Sequence, residues 1–209
     1  MKRLLHIIAS PREGDSRTLQ VSKVFLKTFQ KEHPDWIVDE LNLIKEKLPE
    51  LSMKAVSGKY VLLGGKELFG SQREAWAEIL QQIERFKTAD LFLVSSPMWN
   101  FSVPYMLKHY LDLIVQPKYL FRYTESGAVE GLVKDRKMVI ITSRGGQYTG
   151  ENQAYDFQEP YLKQIFGFIG IQDITFIHAQ PMDMGIELQK QKLEQAKERA
   201  KQACLEIFL

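Results

Sequence analysis

The feature that most constrains this chain is a set of short, almost continuous apolar runs set far enough apart to need a helix between them. Leu4–Ala9, Leu91–Ser95 and Met138–Thr142 show little alternation of apolar and polar positions. A strand that is apolar at nearly every position has both faces covered, the condition of a parallel sheet flanked by helices. Trp36–Leu43 and Ile174–Ala179 read as two further strands. Helical spacing separates them: Val21, Val24, Phe25 and Phe29, then Trp76, Ile79, Leu80 and Ile83, then Met106, Leu107, Tyr110, Leu111 and Ile114. More helix is predicted around Pro160–Phe168 and from Ile186 onward. Five strands alternating with helices describe a single doubly wound α/β domain over residues 1–209, with helices on both faces of a five-stranded parallel sheet. Two stretches depart from that rhythm. Residues 45–70 read as an irregular, Gly-containing excursion, and a second excursion over 117–134 holds a small hairpin turning at Glu125-Ser126-Gly127.

Composition removes several classes of function. The 28 Lys+Arg and 26 Asp+Glu leave a formal net charge of +2, without the basic footprint of a nucleic-acid binder. No apolar stretch approaches the length of a membrane span. Met1-Lys2-Arg3 runs directly into the first strand, so no cleavable leader is expected. The single cysteine, Cys204, excludes an internal disulfide framework, and a cytoplasmic location is expected. No His or Cys cluster has metal-ligand spacing, and no nucleophile elbow is present, so neither a metal nor a catalytic side chain is assigned. His6, His33, His109 and His178 read as structural, and Cys204 as a buried, inert thiol.

The strand order follows from what is missing. Neither a G-x-G-x-x-G fingerprint nor a Walker motif follows the first strand, which argues against dinucleotide and triphosphate folds. The order 2-1-3-4-5 remains, and it places ligands between the carboxyl ends of strands one and three. The loop Ser10–Thr18 stands there, with hydroxyls on Ser10, Ser16 and Thr18, cationic Arg12 and Arg17, and a helix start. That set suits a phosphate monoester, provided Glu13 and Asp15 turn away. The loop Pro97-Met98-Trp99-Asn100-Phe101 supplies aromatic faces and one amide, as a planar heterocycle requires. Ser143-Arg144-Gly145-Gly146, after the fourth strand, allows close backbone approach.

These loops together carry a resemblance. The chain resembles the FMN-dependent NADH:quinone oxidoreductases, or azoreductases, of flavodoxin-like fold. The shared features are Ser10…Ser16-Arg17-Thr18, Pro97-Met98-Trp99-Asn100-Phe101, Phe121-Arg-Tyr-Thr-Glu125…Glu130-Gly-Leu132 and Thr142-Ser-Arg-Gly-Gly146. Trp99 stands where Tyr is commoner. Lys118-Tyr119-Leu120-Phe121 replaces the usual Gly-x-Thr-Phe, a departure that bears on the acceptor pocket more than on flavin binding. The resemblance implies tightly bound FMN held by the three loops, NADH as electron donor, and quinones and azo compounds as acceptors in ping-pong chemistry. The flavin would carry the reaction, with the amides of Ser143–Gly146 facing its pyrimidine side. It also implies a homodimer, in which Tyr119, Phe121 and Tyr123 on the hairpin and Tyr60, Leu62, Leu63 and Phe69 in the first excursion are candidate walls for the partner's substrate pocket; the alternative is that these side chains fold back on their own subunit. A flavodoxin-type electron carrier and an NAD(P)H-dependent FMN reductase are the competing readings.

Overall fold

The computed structural model describes residues 1–208. Five parallel strands, β1 (Arg3–Ile8), β2 (Ile37–Asn42), β3 (Leu91–Ser95), β6 (Lys137–Ser143) and β7 (Asp173–Ala179), form one sheet in the order β2-β1-β3-β6-β7. Counting only these strands, that is the expected order 2-1-3-4-5. The short antiparallel pair β4 (Phe121–Tyr123) and β5 (Val129–Gly131) is the expected hairpin. Helices α1 (Arg17–Glu32) and α6 (Ile186–Glu206) cover one face, and their contact is among the most extensive in the fold. Helices α3 (Gly70–Lys87), α4 (Tyr105–Ile114) and α5 (Glu159–Phe168) cover the other.

The pleat sorts β1 between the two layers. Leu5 and Ile7 point into the core under α3 and α4, whereas Leu4 joins Val21, Phe25 and Phe29 under α1. His6 shares the α1 side with Leu4, and is buried there. Both layers are dry and closely filled, which explains why β1, β3 and β6 lack polar alternation.

One expectation needs correcting. Residues 45–70 are not irregular throughout: Met53–Leu63 forms a helix, α2, started by the Ser52 hydroxyl accepting from the Ala55 amide at 3.2 Å. Its apolar residues are spread around the helix rather than confined to one face, which hides the 3.6-residue period. It seats on α3 chiefly through Trp76. The Trp76 indole N–H donates to the Ala55 carbonyl at 2.9 Å, and the ring lies where a Cβ at Gly58 would stand. Leu62 is thereby buried within its own subunit, while Tyr60 and Phe69 stay exposed.

The hairpin lies at the amino-terminal edge of the sheet. Phe121 is buried against Phe168 at the end of α5, with ring centroids 4.7 Å apart. Gly131 packs directly on the backbone of Ile169 and Gly170, just before β7 begins. Phe121 and Tyr123 therefore stand at the opposite end of the sheet from the carboxyl-edge loops of their own protomer.

Candidate functional site

At the carboxyl edge the chain leaves β1, β3, β6 and β7 through four loops, and a cleft of about 170 Å³ lies between them. Nine of the residues expected there line it: Ser10, Ser16, Arg17, Pro97, Met98, Trp99, Ser143, Arg144 and Gly145. Arg12 lines it as well. Asp15 is exposed and stands outside it, and the side chain of Glu13 lies outside the described residues.

The first loop is built around the start of α1. Ser16 caps the helix, its hydroxyl accepting from the Leu19 amide at 3.2 Å and from the Ser10 hydroxyl at 2.7 Å. Amides in the first turn of a helix have no intrahelical partner, and the helix dipole adds partial positive charge there. Ser10 and Ser16 thus bring two hydroxyls and a helix N-terminus to the same cleft. Thr18 is placed differently from the expectation. It is fully buried, and its hydroxyl is spent on the Ser143 hydroxyl at 2.7 Å, tying the first loop to the third. Arg17 reaches the cleft but is paired with Asp183 at 2.6 Å.

The second loop turns on two residues. Trp99 and Ser102 exchange both backbone hydrogen bonds at 2.9 Å, leaving Asn100 (φ 46°) and Phe101 (φ 69°) as the central pair of a two-residue turn. Two left-handed residues in succession describe a type I′ turn. Asn tolerates this region, whereas a Phe there is strained by about 1–2 kcal/mol. The turn displays Trp99 and Phe101, 41% and 50% exposed, rather than burying them. Tyr148 and Tyr155 stand beside Phe101 at ring-centroid distances of 6.5 and 6.3 Å. The Met98 amide donates to the Ser143 carbonyl at 2.9 Å, which ties the second loop to the third.

The third loop corrects a further expectation. The Arg144 guanidinium does not reach outward to a ligand. It is buried, with Nη1 2.8 Å from Asp156 and Nε donating to Gln158 at 3.1 Å. Gln158 in turn donates to the Ser96 carbonyl at 3.2 Å, and the Phe157 amide donates to the Phe101 carbonyl at 3.0 Å. Arg144 therefore holds segment 156–158 against the aromatic turn, and its contribution to the cleft is the shape of the loop. Burial lowers its pKa against the opposing pull of Asp156 and Glu159. Next to it, His178 is held by Thr142 at 2.8 Å and Glu159 at 2.8 Å. Burial and then the Arg144 charge depress its pKa against the opposing pull of Glu159.

Gly145 and Gly146 differ. A Cβ on Gly145 would press on the Asp183 carboxylate at 2.7 Å, whereas one on Gly146 would meet only the Tyr148 ring at 3.6 Å. Within the folded chain Gly146 has room for a side chain.

The fourth loop was not foreseen. Met182 and Asp183, after β7, close the cleft opposite Ser16. The signal was present, since Pro181 and Gly185 bracket a turn at the carboxyl end of the fifth strand. Tyr148, Tyr155 and Phe157 were also missed, because aromatics in an irregular segment carry no periodicity. No group of three or more acidic, His or Cys residues is placed to hold a metal among the described residues. No helix among them is long and apolar enough to cross a membrane.

Comparison with known proteins agrees with this architecture. A family model described as the flavodoxin-like fold matches residues 2–204. The FMN-dependent NADH:quinone oxidoreductase of Nitratidesulfovibrio vulgaris strain DP4 is 37% identical over 210 residues, covering 99% of this chain and 100% of that protein. An FMN-dependent NADH:quinone oxidoreductase of Bradyrhizobium diazoefficiens is 38% identical over 183 residues, covering 87% and 88%. Among solved structures, an FMN-dependent NADH-azoreductase from Bacillus anthracis strain Ames Ancestor in complex with FMN superposes with a TM-score of 0.86 at 27% identity, covering 99% of both chains. With full-length identity above a third and a matching sheet order, the chain belongs to the FMN-dependent NADH:quinone oxidoreductase family of the flavodoxin-like fold.

Proposed function

We propose that this protein is an FMN-dependent NADH:quinone oxidoreductase that also reductively cleaves aromatic azo compounds. The observation that carries the reading is the convergence on one cleft of a capped helix N-terminus and an exposed aromatic turn. The residues present fit the flavin. Ser10, Ser16 and the first-turn amides of α1 suit its phosphate, with Arg12 beside them. Trp99 and Phe101 offer apolar faces for the ring, and Asn100 an amide for its edge.

When bound, FMN supplies two-electron hydride exchange between NADH and the acceptor. The chain's own residues have a narrower task. Ser16 and the α1 N-terminus anchor the charged end. The third loop, carried by Arg144, would hold the ring's pyrimidine side with backbone amides. The clustered Phe101, Tyr148 and Tyr155 rings offer an apolar wall beside the open side. No side chain is required as a nucleophile.

The acceptor pocket is completed by a second copy. Tyr123 sits at the far end of its own sheet, so it can wall only a partner's cleft, whereas Phe121, read from the sequence as a second wall, is buried against Phe168 and seats the hairpin instead. Tyr123 is 55% exposed, and its ring meets Phe121 edge-on. A two-fold dimer is self-complementary and supplies both pockets at once. Exposed Tyr60 and Phe69 extend the same apolar surface inventory. A cytoplasmic enzyme fits the single, reduced Cys204.

The test is an anaerobic titration of the purified protein followed by turnover. A yellow protein bleached by NADH and reoxidised by quinone or azo dye is expected. Bleaching without turnover would make it an electron carrier, and stimulation by free FMN a flavin reductase. Sedimentation equilibrium alongside activity tests the shared pocket, because a fully active monomer would refute it.

A further inference from the structure

Beneath the cleft runs a buried chain of polar groups that no part of the proposed chemistry uses. His6 Nε2 lies 2.8 Å from the Ser95 hydroxyl, and Ser95 lies 2.6 Å from the Ser22 hydroxyl. The Ser22 hydroxyl donates to the Thr18 carbonyl at 3.0 Å. His6, Ser95, Ser22 and Thr18 are all buried, and His6 Nδ1 has no partner. These groups lie in the layer between the sheet and α1, among Leu4, Leu93 and Val21.

The proton inventory allows one arrangement. A carbonyl only accepts, so the single Ser22 proton goes to Thr18. The short Ser22–Ser95 contact must then use the Ser95 proton, which leaves Ser95 to accept from His6. His6 is therefore the Nε2–H tautomer, with a bare lone pair on Nδ1. A second proton on Nδ1 would be a buried donor without an acceptor, and burial accordingly lowers the His6 pKa to about 3. The ring stays neutral and donating across the physiological range.

The chain ends at a telling place. Thr18 is the second residue of α1, in the turn whose amides face the cleft. Its carbonyl is held from below by Ser22, and its hydroxyl from the side by Ser143 of the third loop. Ser95 is also the last residue of β3, directly before the loop that carries Trp99. One string of hydrogen bonds thus fixes the phosphate turn relative to both other loops.

We infer that His6 is a positioning residue for the FMN-binding turn, acting through Ser95 and Ser22 to set the first turn of α1. This inference rests on the FMN reading above. It assigns His6 no contact with flavin or substrate.

Two measurements test it. In the full-length apoprotein, the ¹⁵N shifts of the His6 ring report its tautomer, and the Nε2–H form is expected; the Nδ1–H form would overturn the chain of donors. FMN titration of apoprotein variants then reads the positioning. Ser22→Ala and His6→Leu are each expected to weaken FMN binding about fivefold, the value of one neutral hydrogen bond. The double variant should be no weaker than either single, since one break already severs the string. His6→Gln keeps an amide donor at the Nε2 position and should restore affinity to within about twofold while lowering the melting temperature, because its carbonyl is buried unpaired. A purely structural role would instead make affinity track melting temperature. Should a His6 variant fail to fold, Ser22→Ala carries the same test. Wild-type binding with unaffected Ser22→Ala and His6→Leu variants would overturn this inference alone. A wild-type chain that takes up no FMN would overturn the proposed function, and this inference with it.

Discussion

Asp156→Ala should be among the most damaging single substitutions in this protein. Asp156 faces Arg144 at 2.8 Å, and both side chains are buried. Removing the carboxylate leaves a guanidinium in a dry site, which costs about 3–5 kcal/mol. Glu159 stands 3.8 Å from the same guanidinium and softens the loss, so the lower end of about 3 kcal/mol applies. Asp156 has a second task. Its other oxygen accepts from the Gln158 amide at 2.9 Å and the Glu159 amide at 3.0 Å, closing the turn that leads into α5. Loss of those two amide bonds adds about 1 kcal/mol, for a total of about 4 kcal/mol. Asp156→Asn separates the two contributions, because the amide oxygen still accepts from the Gln158 and Glu159 amides while the charge is gone; it should cost about 3 kcal/mol. Arg144→Met combined with Asp156→Leu removes both charges and should regain much of what the single variant loses. Urea unfolding of the apoprotein, followed by tryptophan fluorescence, measures all three. The midpoint should fall by more than about 1 M in Asp156→Ala with an unchanged slope. An Asp156→Ala chain within about 1 kcal/mol of wild type would refute the buried pair as the tether of segment 156–158.

Stability should also fall in acid because of His6. Its folded pKa of about 3 lies below the unfolded 6.5, so the unfolded chain binds the proton first. The stabilisation is whole above pH 6.5 and declines below it, by about 3 kcal/mol at pH 4 at about 1.4 kcal/mol per unit. His178, depressed in the same direction, adds to that slope. Unfolding free energies of wild type and His6→Leu across pH 4–7 check this, and parallel curves would refute it. Gly146→Val should leave the apoprotein melting temperature nearly unchanged, since its Cβ meets only the Tyr148 ring. The same variant should weaken FMN binding in titration, and unaltered affinity would remove Gly146 from the ring's path.

Much of the architecture was legible in the chain itself. Unbroken apolar runs at Leu4–Ala9, Leu91–Ser95 and Met138–Thr142 demand two covered faces, and that demand leads to a parallel sheet with alternating helices. Sheet order then places the loops after the first, third and fourth strands at one edge, as observed. Ser16 as a helix cap was equally readable, because capping is a local preference. Helix α2 was not, since its apolar residues answer to packing against Trp76 on the following helix rather than to a period of their own. Residue type likewise could not say which way a side chain points. Arg144 and Thr18 sit in the expected loops, yet their polar atoms turn inward, toward Asp156 and Gln158 for one and Ser143 for the other. The hairpin aromatics, read as pocket walls from their chemistry, stand at the far edge of their own sheet because Gly131 seats the hairpin on the Ile169–Gly170 turn. Local propensity and burial period are properties of neighbouring residues and survive in one dimension. Which polar atom meets which partner depends on groups brought from far along the chain, such as Arg17 against Asp183, and only the folded packing decides it.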